Sequence, residues 1–317
     1  MVRVELESRS LRLTIDPALG AAITRLDHRD PSDPDRWHPI LRTALDASSS
    51  ADASCFLMAP WPNRVAGAEF EFDGHHVKLD PNHDDGAAIH GFFRDRAFRV
   101  LDRSPHSARL IAVHTTSPTW PWACTLAVTY TLIEHELEMD LRLTNQDASP
   151  MPCGLGWHPF FKRRLATRDS AGMVPRSARL RLPRLERYPA KGCIPVGRPA
   201  RDGLTERLAV GDEIDAFAPL DDVFTRGDEP MEIDWPESDV AIRLTTDAAF
   251  NHAVVFAVSP SEPSLSEVFC VEPCTMVNDA INLHARGWQE TGLRVLEPGD
   301  TLRARWALAI RCTESSR

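Results

Sequence analysis

Four short islands in this chain carry side chains able to move protons. Glu272 stands in Cys270-Val271-Glu272-Pro273-Cys274-Thr275, followed by Asp279-Ala280-Ile281-Asn282. Upstream lie Pro62-Asn63-Arg64, Ile89-His90-Gly91-Phe92 and Gly156-Trp157-His158-Pro159-Phe160-Phe161. Together they offer a carboxylate, two imidazoles and a guanidinium, each beside residues that stiffen or sharply turn the backbone. One base and one acid at a fixed separation are what opening and closing a sugar ring requires.

Each island has a plainer reading. A lone histidine among aromatics is commonly a core residue with one satisfied nitrogen. At His158, however, Pro159 restricts the backbone to extended conformations, and Gly154 and Gly156 permit close approach. Its imidazole titrates near neutrality, as a general acid needs. On a strand, Cys270, Glu272 and Cys274 share one face, and two small thiols flanking a carboxylate would strip water from it and raise its pKa. Arg64 is either a surface ion-pair partner or a fork of donors for hydroxyl groups. His90 reads as a turn histidine or a ligand. Asp221 and Asp222, in Leu220-Asp221-Asp222-Val223-Phe224, are turn acids or hydroxyl acceptors.

Other chemistries lack their signatures. The spacing of His75, His76, His83 and His90 matches no metal-ligand pattern, and Cys270 and Cys274 have no second pair, so no metal is expected. There is no P-loop, Gly-rich dinucleotide fingerprint, His-Glu-x-x-His or Gly-x-Ser-x-Gly elbow.

The elements that must position these residues are short strands. Val2-Val4-Leu6, Leu11-Leu13-Ile15 and Leu137-Met139-Leu141-Leu143 alternate with polar neighbours, the period of a strand with one buried face. Turns such as Asp73-Gly74 and Pro298-Gly299-Asp300 separate the runs, and 25 prolines disfavour long helices. Asp16 to Ile23 is the nearest approach to a short helical turn. The expected architecture is a sandwich or barrel, within one domain spanning residues 1–317.

A net charge of −10 disfavours nucleic acid and anionic membrane surfaces as partners. No apolar run reaches the length of a membrane span and no secretory leader is evident. Seven scattered cysteines do not read as a disulfide framework, so a reducing cytoplasm is the expected setting. One compositional shift stands out. Residues 162–187 carry nine Lys/Arg against two acidic residues. With Arg179-Leu180-Arg181-Leu182 on a strand, this reads as a solvated edge or as an anion site for a phosphorylated sugar.

In order and context the islands resemble the aldose 1-epimerase (mutarotase) family. The resemblance rests on Pro62-Asn63-Arg64 with Gly67, Phe70 and Phe72, on His90-Gly91, on His158-Pro159-Phe160-Phe161, and on Glu272-Pro273. Leu296 to Leu302 and Trp306 extend it, so that it runs from about Leu11 to Leu308. It implies a large all-β antiparallel sandwich of the galactose mutarotase type with few short helices and an open sugar cleft. It also implies Glu272 as general base, His158 as general acid, and His90 and Arg64, beside Asn63, as substrate-binding residues. Asp221 matches the family's hydroxyl-binding aspartate better than Asp222. The chain departs from the galactose enzymes after the His-Pro pair, where it has Phe160, Phe161 and Lys162.

The expected activity is therefore interconversion of α and β anomers of a free aldohexose. Ionised Glu272 takes the C1 hydroxyl proton while protonated His158 gives one to the ring oxygen, with a bell-shaped pH profile near 6–7. No cofactor or metal is needed, and the partner is a small sugar, with the protein a monomer or dimer. The alternatives are a hexose-6-phosphate 1-epimerase and a non-catalytic carbohydrate-binding sandwich. A glycosidase fits less well, because it needs two catalytic carboxylates.

Overall fold

The alternating segments become strands with one face in a core. Glu136–Asn145 buries Leu137, Met139, Leu141 and Leu143 and leaves the residues between them more open. In the computed structural model, which describes residues 2–30, 33–165, 174–238 and 240–312, two large antiparallel sheets stack face to face. The first runs in the order Val4–Glu7, Leu11–Asp16, Ala22–Asp30, Cys55–Met58, Gly156–Lys162, Val268–Cys274, His252–Ala257, Leu220–Thr225 and Glu186–Arg187, with Asp33–Pro39 added on Ala22–Asp30. The second holds Ser107–His114, Cys124–Ile133, Glu136–Asn145, Thr301–Cys312 and Val240–Thr246 at its centre. This is the expected all-β sandwich.

Aromatic rings join the two sheets. Trp157 of the first sheet meets Tyr130 at 5.8 Å and Trp306 at 6.0 Å between ring centres, both from the second sheet. The Tyr130 hydroxyl donates to the Ala21 carbonyl at 2.6 Å, so its polar end is satisfied inside the core. Trp157 therefore points into the sandwich, and the pleat turns His158 and Phe160 to the opposite, outer face. On a neighbouring strand the same alternation puts Cys270, Glu272 and Cys274 outward.

The outer face of the first sheet is not left to water. Loops between Ala59 and Phe98 cover it, and every residue of Val268–Cys274 is buried. These central strands are thus shielded on both faces and lose the alternating pattern that marks strands at the surface.

Two details differ from the sequence reading. Asp16 to Ile23 is not helical: residues 17–21 form a turn that joins two antiparallel strands. The helices are instead Gly203–Val210, Ile214–Phe217 and Ala280–Ala285. Gly203–Val210 is started by Asp202, which accepts from the Thr205 amide at 2.9 Å while Thr205 Oγ1 accepts from the Asp202 amide at 2.8 Å.

The basic stretch is fold cement. Arg163 and Arg164 both grip Asp215, Arg176 bonds Glu213, Arg181 meets Glu232 at 2.9 Å, and Arg187 meets Asp202 at 2.6 Å. Arg184 pairs with Glu229, and Arg179 donates to the carbonyls of Val210 and Gly211. The strand Arg179–Arg181 belongs to the second sheet and lies beside Asp212–Glu213 at its edge, away from the outer face that holds Glu272. Arg168 and Asp169 lie outside the described residues.

Candidate active site

Strand register brings His158 and Glu272 together. Gly156 lies opposite Cys274 and Phe160 opposite Cys270. The same register places His158 across from Glu272, at the spot where Pro159 and Pro273 each withhold an amide hydrogen from the ladder. Directly opposed side chains start only about 5 Å apart at Cβ. His158 Nε2 accordingly stands 3.3 Å from Glu272 Oε1.

Aromatic packing fixes the imidazole. His158 stacks on Phe56 at 4.5 Å, its partner across the next strand, and lies 4.6 Å from Phe160. His90 approaches edge-on at 5.1 Å. The guanidinium of Arg42 sits 3.7 Å from the Phe160 ring centre, and that of Arg94 lies 5.2 Å from Phe56.

Arg64 and His90 arrive on a folded-over loop. Asn63 and His90 both adopt left-handed backbone, and the His90 amide donates to the Asn63 carbonyl at 2.9 Å. Asp279 props the same turn: its amide donates to the Arg64 carbonyl at 2.7 Å, and its carboxylate accepts from the Ala66 amide at 3.0 Å. Gly91 follows in left-handed backbone, and a Cβ there would lie 2.0 Å from the Ala59 carbonyl oxygen. Only glycine lets the His90 segment pass so close to Ala59.

Arg64 then reaches three oxygens. It bonds Asp85 at 2.9 Å and Asn63 Oδ1 at 3.1 Å, and lies 3.8 Å from Asp221. Asp85 is partly desolvated, but the Ala87 amide, Arg64 and His83 hold its carboxyl down to about 2. Asp221 pairs in register with Phe256, which in turn pairs with Cys270, so Asp221 shares the outer face with Glu272. Asp222 points the other way, toward Arg187 at 3.5 Å.

Six residues singled out from the sequence, Glu272, His158, Arg64, His90, Asn63 and Asp221, therefore lie in one constellation. Three others make contacts that the sequence reading did not assign, although Asp279 stood in the Glu272 island. Asp85 anchors Arg64, Asp279 props its turn, and Cys193, on the hairpin of Ala190–Lys191 and Ile194–Pro195, donates its thiol hydrogen to Asp221 at 2.9 Å. Asn278 holds that hairpin by donating to the Cys193 carbonyl at 2.8 Å.

Burial governs the charge state. Desolvation, and then the Asp221 charge, push Glu272 well above the usual carboxylate range, with Arg64 opposing. Desolvation, and then the nearby Arg94 and Arg42 charges, pull His158 down to about 3. His90 is lowered for the same reason, with His158 and Arg94 adding to it. Burial thus disfavours the charged form of both Glu272 and His158. This differs from the ionised arrangement expected from ordinary pKa values, because both groups are sealed from water.

The antiparallel sandwich, with His158 and Glu272 facing each other on the outer face of one sheet, has the galactose mutarotase-like fold. The sequence pattern of the family described as aldose 1-epimerase matches residues 3–309, and the chain belongs to that family, whose chemistry is that of an isomerase. The fold agrees with the crystal structure of a galactose mutarotase-like protein from Clostridium acetobutylicum (TM-score 0.83, 16% identity, 98% of this chain and 95% of that one). It also agrees with that of an aldose epimerase homologue from C. elegans (TM-score 0.79, 16% identity, 99% of each chain). YphB of Escherichia coli K12, an uncharacterised protein, is 31% identical over 134 residues, 42% of this chain and 45% of YphB. The chain spans less than half the length of the curated relatives it matches.

Gly91→Ala tests the loop that carries His90. The overlap with Ala59 is expected to cost about 1–3 kcal/mol in urea unfolding, as overpacking does. An unchanged urea midpoint would show that this crossing gives way easily.

Proposed function

We propose that this protein is an aldose 1-epimerase that interconverts the α and β anomers of a free aldohexose. The observation that carries the reading is the 3.3 Å separation of His158 Nε2 and Glu272 Oε1, on adjacent strands, within reach of Arg64 and His90. A protein that only binds sugar needs hydroxyl partners and ring platforms; it has no use for a matched acid and base.

Mutarotation moves two protons. The base takes the C1 hydroxyl proton as the bond from C1 to the ring oxygen breaks, and the acid gives a proton to that oxygen. The resulting aldehyde rotates about C1–C2, and closure in the reverse sense yields the other anomer. Glu272 is assigned as base and His158 as acid on opening, with the roles exchanged on closure. Arg64, His90, Asn63 and Asp221 hold the sugar, and Phe56 and Phe160 pack against the His158 ring and fix its orientation. No step in this scheme calls on a cofactor.

The buried charge state fits this scheme through a single internal proton. Neutral Glu272 with neutral His158 differs from carboxylate with imidazolium only by the position of that proton. Sugar hydroxyls replace the water that burial removed, and Arg64 already favours the carboxylate. The reactive form then arises inside the complex without exchange with solvent.

The free hexose is preferred over a phosphorylated one because every described arginine of residues 162–187 is engaged by the protein itself. A dianionic phosphate would have to break those ion pairs to use them.

Glu272→Gln and His158→Asn are each expected to slow anomer exchange by about 10²–10⁴-fold, the usual weight of one positioned proton transfer. NMR exchange on α-D-glucose and α-D-galactose measures this, with sugar affinity largely kept. Near-full activity in either variant would remove that residue from the scheme. The pH profile of kcat/KM reports the free enzyme. Below about pH 3 His158 takes a second proton and the base is lost. As pH rises through the elevated Glu272 value, the last proton leaves and the acid is lost. The profile should therefore be flat through the ordinary histidine value of about 6.5. An acid limb centred there would show that His158 is not shielded as described.

A further inference from the structure

Cys270 takes no part in the proposed proton transfers, yet it lies against both groups that do. It precedes Glu272 by two residues on one strand, facing the same way, and sits opposite Phe160 on the other. The Sγ of Cys270, a ring nitrogen of His158 and a carboxylate oxygen of Glu272 all lie within 4.8 Å of one another. Among the described residues no other histidine, cysteine and carboxylate cluster is so tight.

Two features of this cluster favour a cation. First, Glu272 is 2% exposed, and its Oε2 has no hydrogen-bond partner. Buried polar atoms without partners cost about 1–3 kcal/mol each, and a bound ion would recover part of that. Second, the spacing fits. Zinc–nitrogen and zinc–oxygen bonds of about 2.0–2.2 Å give a tetrahedral nitrogen-to-oxygen edge of about 3.3–3.5 Å. The observed edge is 3.3 Å. The corresponding edges to sulfur are about 3.6 Å, so Cys270 has to close by up to about 1.2 Å.

We propose that His158, Cys270 and Glu272 form a three-ligand site for a thiophilic divalent cation such as Zn²⁺, and that occupancy switches the catalytic pair off. The thiol selects zinc over magnesium or calcium, which prefer all-oxygen shells. Binding releases the Cys270 proton and the proton shared by Glu272 and His158, leaving thiolate, carboxylate and imidazole on the metal. A water or a sugar hydroxyl in the fourth position completes the tetrahedron. With its lone pairs on zinc the pair can neither take nor give a proton. Binding stands independently of the proposed activity; only the inhibition rests on it.

The test uses the full-length protein without sugar. Titration with Co²⁺ should develop a near-ultraviolet thiolate-to-metal band and the visible bands of a tetrahedral ion, with one ion per chain and displacement by Zn²⁺. Cys270→Ala should remove the thiolate band and weaken zinc binding by more than about 100-fold, since changes beyond the ligand shell alone already cost about 10–100-fold. Cys274→Ala, which alters the other buried thiol beside Glu272, should keep both. In wild type, zinc should suppress anomer exchange and a chelator should restore it, while the Cys270→Ala enzyme retains its own activity fraction in zinc. If wild type binds no Co²⁺ or Zn²⁺, or if Cys270→Ala binds as wild type does, the site does not exist. If binding follows the ligands but the protein epimerises no aldose, the metal site stands and the proposed activity falls.

Discussion

The site depends on one register: Gly156 opposite Cys274 and Phe160 opposite Cys270. That alignment alone puts an imidazole and a carboxylate on facing positions of adjacent strands, pointing away from the sandwich core. A slip by one residue would send both into the core and bring Trp157 and Val271 outward. What prevents the slip lies on the inner face. Trp157 is locked between Tyr130 and Trp306 of the opposite sheet, and Phe161 meets Phe269 at 5.8 Å. The inter-sheet core therefore does more than stabilise the fold. It sets the 3.3 Å distance between His158 and Glu272.

The second constraint is exclusion of water. Fully buried strands would ordinarily carry apolar side chains, and a lone carboxylate there would be prohibitively costly if charged. On the proposed function the pair escapes the penalty by sharing a single proton, since burial disfavours charge on both members. Arg64 lies close enough to Glu272 to favour the carboxylate yet is itself occupied by Asp85 and Asn63. On the proposed function, hydrogen bonds from bound hydroxyls decide where that proton sits. An exposed pair at the same separation would titrate near its ordinary values and exchange protons with solvent instead.

These two constraints explain which parts were legible in the sequence. Surface-facing strands such as Glu136–Asn145 announce themselves by alternation. Gly156–Lys162 and Val268–Cys274 do not, because loops cover their outer face and every second position is no longer polar. Their residues were found by chemical type and by flanking prolines and glycines, not by period. Asp221 was legible only as one of two adjacent acids, and strand parity, a property of the folded sheet, separates it from Asp222. Asp85 and Cys193 left no signal and Asp279 stood in the Glu272 island without a role, since each reaches Arg64, Asp221 or the Arg64 turn from a distant loop. The arginines of residues 162–187 were legible as charge, but their acidic partners, from Asp202 to Glu232, come into view only with the fold.

Cys193 illustrates how such a contact can serve a sugar site. On the proposed function, Asp221 must accept hydrogen bonds from hydroxyls, yet a bare carboxylate 3.8 Å from Arg64 would tend to collapse onto it. The Cys193 thiol occupies the carboxylate meanwhile, and burial together with the Asp221 charge pushes that thiol up to about 12, so it stays a donor. A thiol is a weak donor, and a hydroxyl that displaces it gains a stronger bond while giving up little. Serine at the same place would compete with the incoming hydroxyl on nearly equal terms. The hairpin is fixed by its backbone, through the Asn278 bond to the Cys193 carbonyl, so the side chain can yield without moving the chain. A weak partner held by a firm backbone keeps Asp221 ordered and still available.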